Sequence, residues 1–191
     1  MPNNTADTSF KSLTSSETSI AGLYKVEFKV ISDNRGSIME SYRESDYQAA
    51  GLPSLNGRPQ VNATLSIKGT LRGIHAEETH KFLQIAQGKV YAVIVDLRKQ
   101  SSTAGKWLAF ELSRGQGLFV SKGLGNSFQS ISSEPSIYLY YFENEWQPGM
   151  VGTNANPLDP ELAIPWPVPH NKGMIISDKD AASLSIAEAL S

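Results

Sequence analysis

The chain has 191 residues and a formal net charge of -2 at pH 7, with 17 Lys+Arg against 19 Asp+Glu, so it carries no basic field suited to nucleic acid or an anionic membrane. It contains no cysteine, which excludes disulfides, thiolate catalysis and Cys-based metal sites and suits a reducing compartment. The polar opening MPNNTADTSFKSLTSSETS is not a signal peptide, and no apolar stretch approaches the ~18 residues needed to span a bilayer, so a soluble cytoplasmic protein is expected.

Residues 1–20 are rich in Ser, Thr and Asn and are predicted to be a mobile tail, with residues 21–191 forming one folded domain. From Tyr24, YKVEFKVI alternates apolar and polar with period two, as a half-buried strand does. SDNRGS reads as a turn, because Asp33, Asn34 and Gly36 tolerate the backbone angles it needs. IMESYRESDYQAAGL reads as a strand running into a short helix closed by Gly51 and Pro53. Beyond that, QVNATLSIKGTLRGIH, KFLQIAQGKVYAVIVDLR, KWLAFELSRGQGLFVSKGLGNSFQSI and SIYLYYFENEW are β-rich runs broken by glycine turns. Short strands at this spacing predict an all-β chain folded as a double-stranded jelly roll. The proline-rich stretch Pro148 to Pro169 is expected to wrap irregularly around it. Only SDKDAASLSIAEAL looks helical, with Ser177 as N-cap and Asp178 in the first turn.

The densest chemistry lies in Thr70 to Lys81, TLRGIHAEETHK, where Arg72, His75, Glu77, Glu78, His80 and Lys81 crowd the edge of an apolar strand. His75 follows Gly73 at a strand end, and an imidazole titrating near neutrality suits general-base work; the same residue also serves as an ordinary exposed or core histidine. A metal site would need His75 and His80 to converge. Five residues apart on a strand they point to opposite faces, so no metal is expected. Lys81 suits stabilisation of a developing oxyanion, or it snorkels to solvent. Tyr138 and Tyr140 share a face, where either could be an acid or core filler. Asp159, in LDPELAIPWP, is turn chemistry unless that turn returns to His75.

Together these segments resemble the dTDP-4-dehydrorhamnose 3,5-epimerase family, from about Tyr24 to about Asp180. The motifs that carry the resemblance are Asp33-Asn34-Arg35-Gly36, Gln60-Val61-Asn62, Leu71-Arg72-Gly73-Ile74-His75, and Lys81 through Gly88 to Val90. They continue with Val95-Asp96-Leu97-Arg98, Leu139-Tyr140, Asp159-Pro160 through Ile164 to Trp166-Pro167, and Ser177-Asp178-Lys179-Asp180. The resemblance implies a cupin-like jelly roll that inverts C3, C5 or both in a 4-keto-6-deoxyhexose on a nucleoside diphosphate, without a cofactor. It implies His75 as catalytic base, Asp159 as its carboxylate partner, Tyr140 as acid and Lys81 beside the enolate. It places Arg35, Glu40, Gln60, Asn62, Arg72, Asn126 and Trp146 on the substrate, and it implies a homodimer in which an N-terminal strand of one subunit completes the other's sheet and site.

Three positions depart from the family pattern. Asn126 stands where the family has a loop histidine, Ala92 where it has an aspartate, and Ser37-Ile38 follow the Asp-x-Arg-Gly turn where an aromatic is usual. These departures point to a divergent branch with altered sugar geometry. The alternatives are a single-carbon epimerase or keto-isomerase on a related sugar nucleotide, or a non-catalytic sugar-nucleotide-binding cupin.

Overall fold

Two antiparallel sheets face one another and enclose the interior. The computed structural model describes residues 12–56 and 58–191. Its strands in chain order are β1 (Leu13–Glu17), β2 (Leu23–Phe28), β3 (Val30–Asp33), β4 (Gly36–Met39), β5 (Gln60–Ser66), β6 (Leu71–Glu77), β7 (Lys81–Gln87), β8 (Lys89–Asp96), β9 (Trp107–Ser113), β10 (Gln116–Val120), β11 (Leu124–Ser130), β12 (Ser136–Phe142) and β13 (Gly152–Asn154). Three short helices accompany them: α1 (Glu44–Ala49), α2 (Asp178–Ala181) and α3 (Ile186–Leu190). One sheet runs β1-β2-β10-β7-β12-β5 and the other β13-β6-β11-β8-β9. This is the expected jelly roll, with helix confined to short pieces.

The expected tail is in part a strand. Residues 1–11 lie outside the described residues, but β1 pairs with β2 from Leu13↔Phe28 to Glu17↔Tyr24, and Ser12, Leu13 and Ile20 are buried. The polar composition misled because this edge strand is held by its backbone and by anchoring hydroxyls. Ser12 Oγ donates to Asp46, and Ser15 Oγ donates to the Ala50 carbonyl at 2.7 Å. The C-terminal helical stretch also differs, being split into α2 and α3. Ser177 caps α2, accepting from Asp180 N at 3.1 Å, and Ser185 opens α3 with a capping box closed by Glu188.

The core has layers. Between the sheets lie Leu83, Ile85, Ala92, Ile94, Leu118, Phe128 and Tyr138. Outside the six-stranded sheet, Tyr47, Leu52 and Leu55 pack on Phe82, Phe119 and Tyr141. Outside the five-stranded sheet, Leu162, Trp166, Ile186 and Ala189 cover Leu71, Ile74, Val93 and Val95. β7 and β8 are thus covered on both faces, which explains why FLQIA and VYAVIVD read as near-continuous apolar runs and not as an alternation. Ala92, the position expected to carry an aspartate, is fully buried in the intersheet cluster.

The Val95-Asp96-Leu97-Arg98 segment locks the turn after β8. Asp96 is fully buried and accepts from Arg98 Nε at 2.8 Å, Arg98 NH2 at 2.7 Å, and the hydroxyls of Ser101 and Thr103, each at 2.6 Å. Burial alone would raise its carboxyl, but these donors win and hold it at about 2, against an ordinary 3.8. A depressed folded-state value contributes stability above the unfolded value, and that contribution is lost as the pH falls through the folded one. Asp96→Asn is therefore expected to lower the urea midpoint at pH 7, and its deficit against wild type should close as the pH falls from 3.8 towards about 2. A deficit independent of pH over that range would contradict this account.

Candidate active site

A cavity of about 620 Å³ opens between the two sheets. β5, β7 and β12 of one sheet line it with Gln60, Asn62, Thr64, Lys81, Tyr138 and Tyr140, while β6 and β11 of the other supply Arg72, His75, Glu77 and Asn126. Trp146 stands at its rim, 54% exposed. Along β5 the alternation is regular: Gln60, Asn62 and Thr64 are half-buried on the cavity face, while Val61, Ala63 and Leu65 point outward.

β6 departs from regular alternation, and the departure builds the site. Its register with β11 runs Asn126↔His75 and then Phe128↔Arg72, so Gly73 and Ile74 together oppose Ser127 alone. That bulge is why Arg72 and His75, three residues apart, both reach the cavity. Only glycine fits at position 73: φ is +109°, and an added Cβ would lie 2.5 Å from the Asn126 carbonyl oxygen.

The carboxylate behind His75 is Asp180, not Asp159. His75 Nε2 lies 2.9 Å from Asp180 Oδ1, and Asp180 Oδ2 accepts from Gly73 N at 3.2 Å. A carboxylate has no proton to give, so Nε2 carries the hydrogen, and in a neutral ring Nδ1 would be left with the lone pair. Asp159 does not line the cavity. Its Oδ2 accepts from Ile186 N at 2.6 Å at the start of α3, and its Oδ1 accepts from Glu161 N at 2.8 Å, so it ties the wrapping segment to that helix. The two aspartates sit in neighbouring C-terminal segments, and chain position alone did not say which of them returns to His75. The signal for Asp180 was the Ser177-x-Lys179-Asp180 motif itself, because a capped first turn aims its third residue in a defined direction.

Lys81 is fully buried, yet its ammonium reaches the cavity wall. It donates to the His75 carbonyl at 3.0 Å, to the Glu77 carboxylate and to Asn126 Oδ1. Burial pulls its pKa below the ordinary value, and the Glu77 charge opposes that. Burial pushes the Tyr140 phenol up, with Arg72 opposing and Glu77 adding, so the hydroxyl keeps its proton at neutral pH. Tyr138 stacks on Phe128 with centroids 4.1 Å apart, and its buried hydroxyl has no partner among the described residues. Phe128 and Phe142 are cavity residues that the sequence did not single out, and Glu77, counted there only among the crowded ionisable groups, lines the cavity too.

Two expected substrate residues are elsewhere. Arg35 is at the tip of the β3–β4 hairpin, with its side chain 85% exposed and paired with Asp33. Glu40 follows β4 and pairs with Arg43. Neither lines the cavity of its own chain. His80 is also outside it, packed on Phe119 with its backbone N bonded to Glu143. Among the described residues no three histidine or acidic side chains converge as a metal-ligand set.

A jelly roll with a histidine on one sheet, backed by an aspartate from an outer helix, and a tyrosine on the other sheet has the form of a proton-transfer enzyme. Residues 17–188 match the family model for dTDP-4-dehydrorhamnose 3,5-epimerase, and the chain belongs to that family. It is 31% identical over 172 residues to the dTDP-4-dehydrorhamnose 3,5-epimerase of Methanothermobacter thermautotrophicus, covering 86% of this chain and 89% of the relative. It is 33% identical over 181 residues to the dTDP-4-dehydro-6-deoxyglucose 3-epimerase of Streptomyces bikiniensis, covering 90% and 89%. The structure of RmlC from Streptococcus suis in complex with dTDP-D-xylose superposes with a TM-score of 0.86 at 28% identity, covering 94% of each chain.

The bulge makes a direct prediction. Gly73→Ala would force a side chain into the β11 backbone at a left-handed φ, so it is expected to cost at least about 1–3 kcal/mol. It should also disturb the His75–Asp180 pair. Denaturant titration and the His75 imidazole NMR signal would show both effects; an unchanged midpoint would contradict the assignment.

Proposed function

We propose that the protein is an epimerase of a nucleoside-diphosphate-linked 4-keto-6-deoxyhexose, inverting C3, C5 or both. The observation that carries this reading is His75 on one sheet, backed by Asp180 of α2, facing Tyr140 of the other sheet across one cavity. The protons at C3 and C5 are both α to the ketone, so removing either gives an enolate. His75 Nδ1 takes the proton while Asp180 holds the ring and stabilises the imidazolium. Tyr140, kept protonated by burial, returns a proton to the opposite face, and that is inversion. The buried Lys81 ammonium on the same cavity wall would favour the O4 oxyanion through space, since its three protons are donated to His75, Glu77 and Asn126. Arg72 suits a diphosphate, since guanidinium grips phosphate bidentately. Gln60 and Asn62 offer amides along the same wall, and Trp146 offers a face for a nucleobase. The Streptococcus suis relative, in complex with dTDP-D-xylose, supports a nucleotide-sugar ligand. A second reading, inversion at C3 alone, draws support from the Streptomyces bikiniensis 3-epimerase and from Asn126 on the cavity wall. The cysteine-free composition favours the cytoplasm.

Incubation with dTDP-4-dehydro-6-deoxyglucose in deuterated buffer, followed by NMR, tests the reading. Deuterium is expected at C3, C5 or both, and His75→Ala should abolish it. Asp180→Asn should slow exchange by about 10²–10⁴-fold, whereas Asp159→Asn should lower thermal stability and leave exchange within a few-fold. No exchange with this substrate, nor with a GDP-linked 4-keto-6-deoxy sugar, would move the function to binding.

We also propose a homodimer in which the hairpin of one copy completes the site of the other. Three features support it. Arg35 stands away from its own cavity. The hairpin exposes Val30, Ile31 and Ile38. β5 is a sheet edge with Val61 and Leu65 exposed, followed by the exposed Ile67, and such an edge is a template for another chain. If a partner supplies Arg35, mixing two inactive variants, Arg35→Ala and His75→Ala, and allowing subunit exchange should restore part of the activity. No restoration despite measured exchange would count against a shared site.

A further inference from the structure

Lys81 has three N–H donors and three acceptors in place: the His75 carbonyl, the Glu77 carboxylate and the Asn126 amide oxygen. All three are supplied by the facing sheet. Glu77 is the one carboxylate bonded to this ammonium among the described residues. It is also the more accessible member of the pair, with a side chain 21% exposed against 2% for Lys81. A fully buried ammonium without a counter-charge is costly, and the usual response is loss of its proton.

The Asn126 amide has a fixed direction for the same reason. The reverse orientation would set its NH2 against an ammonium, so Oδ1 faces Lys81 and Nδ2 faces away. Nδ2 donates no hydrogen bond within the described chain, and Asn126 lines the cavity. The family's histidine at this position would titrate; an amide held by an ammonium cannot.

We propose that Glu77 is a positioning residue for the reaction: it keeps Lys81 a charged ammonium inside the barrel, and through Lys81 it orients the Asn126 amide so that the cavity meets the sugar with a neutral donor that does not itself titrate. The kinetic consequence rests on the epimerase reading above; the charge state of Lys81 does not. Other ionisable groups around the same cavity are Arg72 and His75 on β6, Asp180 on α2 behind His75, and Tyr138 and Tyr140 on β12. Activity alone would mix their titrations with that of Lys81, so the charge must be read at Lys81 itself.

The test is NMR titration of the Lys81 ¹³Cε signal in the free, full-length protein, assigned with Lys81→Arg. Glu77→Gln is nearly isosteric and can still accept a hydrogen bond from Lys81, so it removes the charge and little else. It should lower the Lys81 midpoint by at least about one pH unit. Asn126→Asp places a second carboxylate on the ammonium and should raise the midpoint. Glu78→Gln, at an exposed neighbour outside the cavity, should move nothing. In the exchange assay with dTDP-4-dehydro-6-deoxyglucose, the alkaline limb of kcat/KM for Glu77→Gln should move in the same direction as its NMR midpoint. Equal Lys81 midpoints in wild type, Glu77→Gln and Asn126→Asp would overturn the proposal whatever the activity. Shifted midpoints in a protein with no exchange activity would uphold the charge relay and sink the epimerase reading instead.

Discussion

The site depends on one buried carboxylate. Asp180 sits on a four-residue helix near the C-terminus and uses both oxygens, one on the Gly73 amide and one on the His75 ring. A buried carboxylate must be partnered, and these partners exist only when the C-terminal segment lies against β6. Backbone bonds hold it there: Leu71 N to the Ile175 carbonyl at 2.8 Å, Ile175 N to the Gly69 carbonyl at 2.9 Å, and a reciprocal pair between Ile74 and Ala155 at 3.1 Å. The outer layer is therefore joined to the cavity wall, because it holds the His75 ring by its Nε2 atom.

The same contact explains why β6 is irregular. Its bulge spends Gly73 and Ile74 against a single residue of β11, which brings Arg72 into phase with His75 and presents the Gly73 amide to Asp180. Ser127, opposite the bulge, is buried and gives its hydroxyl to the Arg72 carbonyl at 2.6 Å. A regular strand would have turned Arg72 to the opposite face, leaving the cavity without its arginine.

Electrostatics divide the cavity. Toward the interior, Lys81 and Glu77 neutralise each other and Asp180 sits behind His75. Arg72, an exposed side chain bonded to Ser66 Oγ at 3.3 Å, carries a cation with no carboxylate bonded to it among the described residues. Under the proposed function, this division would suit a sugar met by hydrogen bonds in the one part and a diphosphate met by the cation in the other. Of the two sequence departures from titratable groups, only Asn126 touches this arrangement. Ala92 is buried between the sheets against apolar side chains such as Ile94 and Phe128, where an ionised aspartate would have to find a partner.

What the sequence by itself determined is the local and the periodic. Alternation in β2 and β5, glycine turns, the Ser177 cap and the unbroken apolar runs of β7 and β8 follow from residue-level preferences, and they were enough for a jelly roll. The crowding in TLRGIHAEETHK was enough to point to the wall of the cavity, which Arg72, His75, Glu77 and Lys81 line. Tertiary structure decided the rest, because those choices depend on contacts between residues far apart in the chain. Asp180 reaches His75 across 105 positions while Asp159 turns to α3. Leu13 to Glu17 become a strand because β2 and α1 are there to receive them. Lys81 is a buried ion, and not a snorkelling one, because β6 and β11 bring it three acceptors. Burial, the partner at the end of a long loop and the phase of a bulged strand are properties of the packed assembly, and no spacing along the chain encodes them.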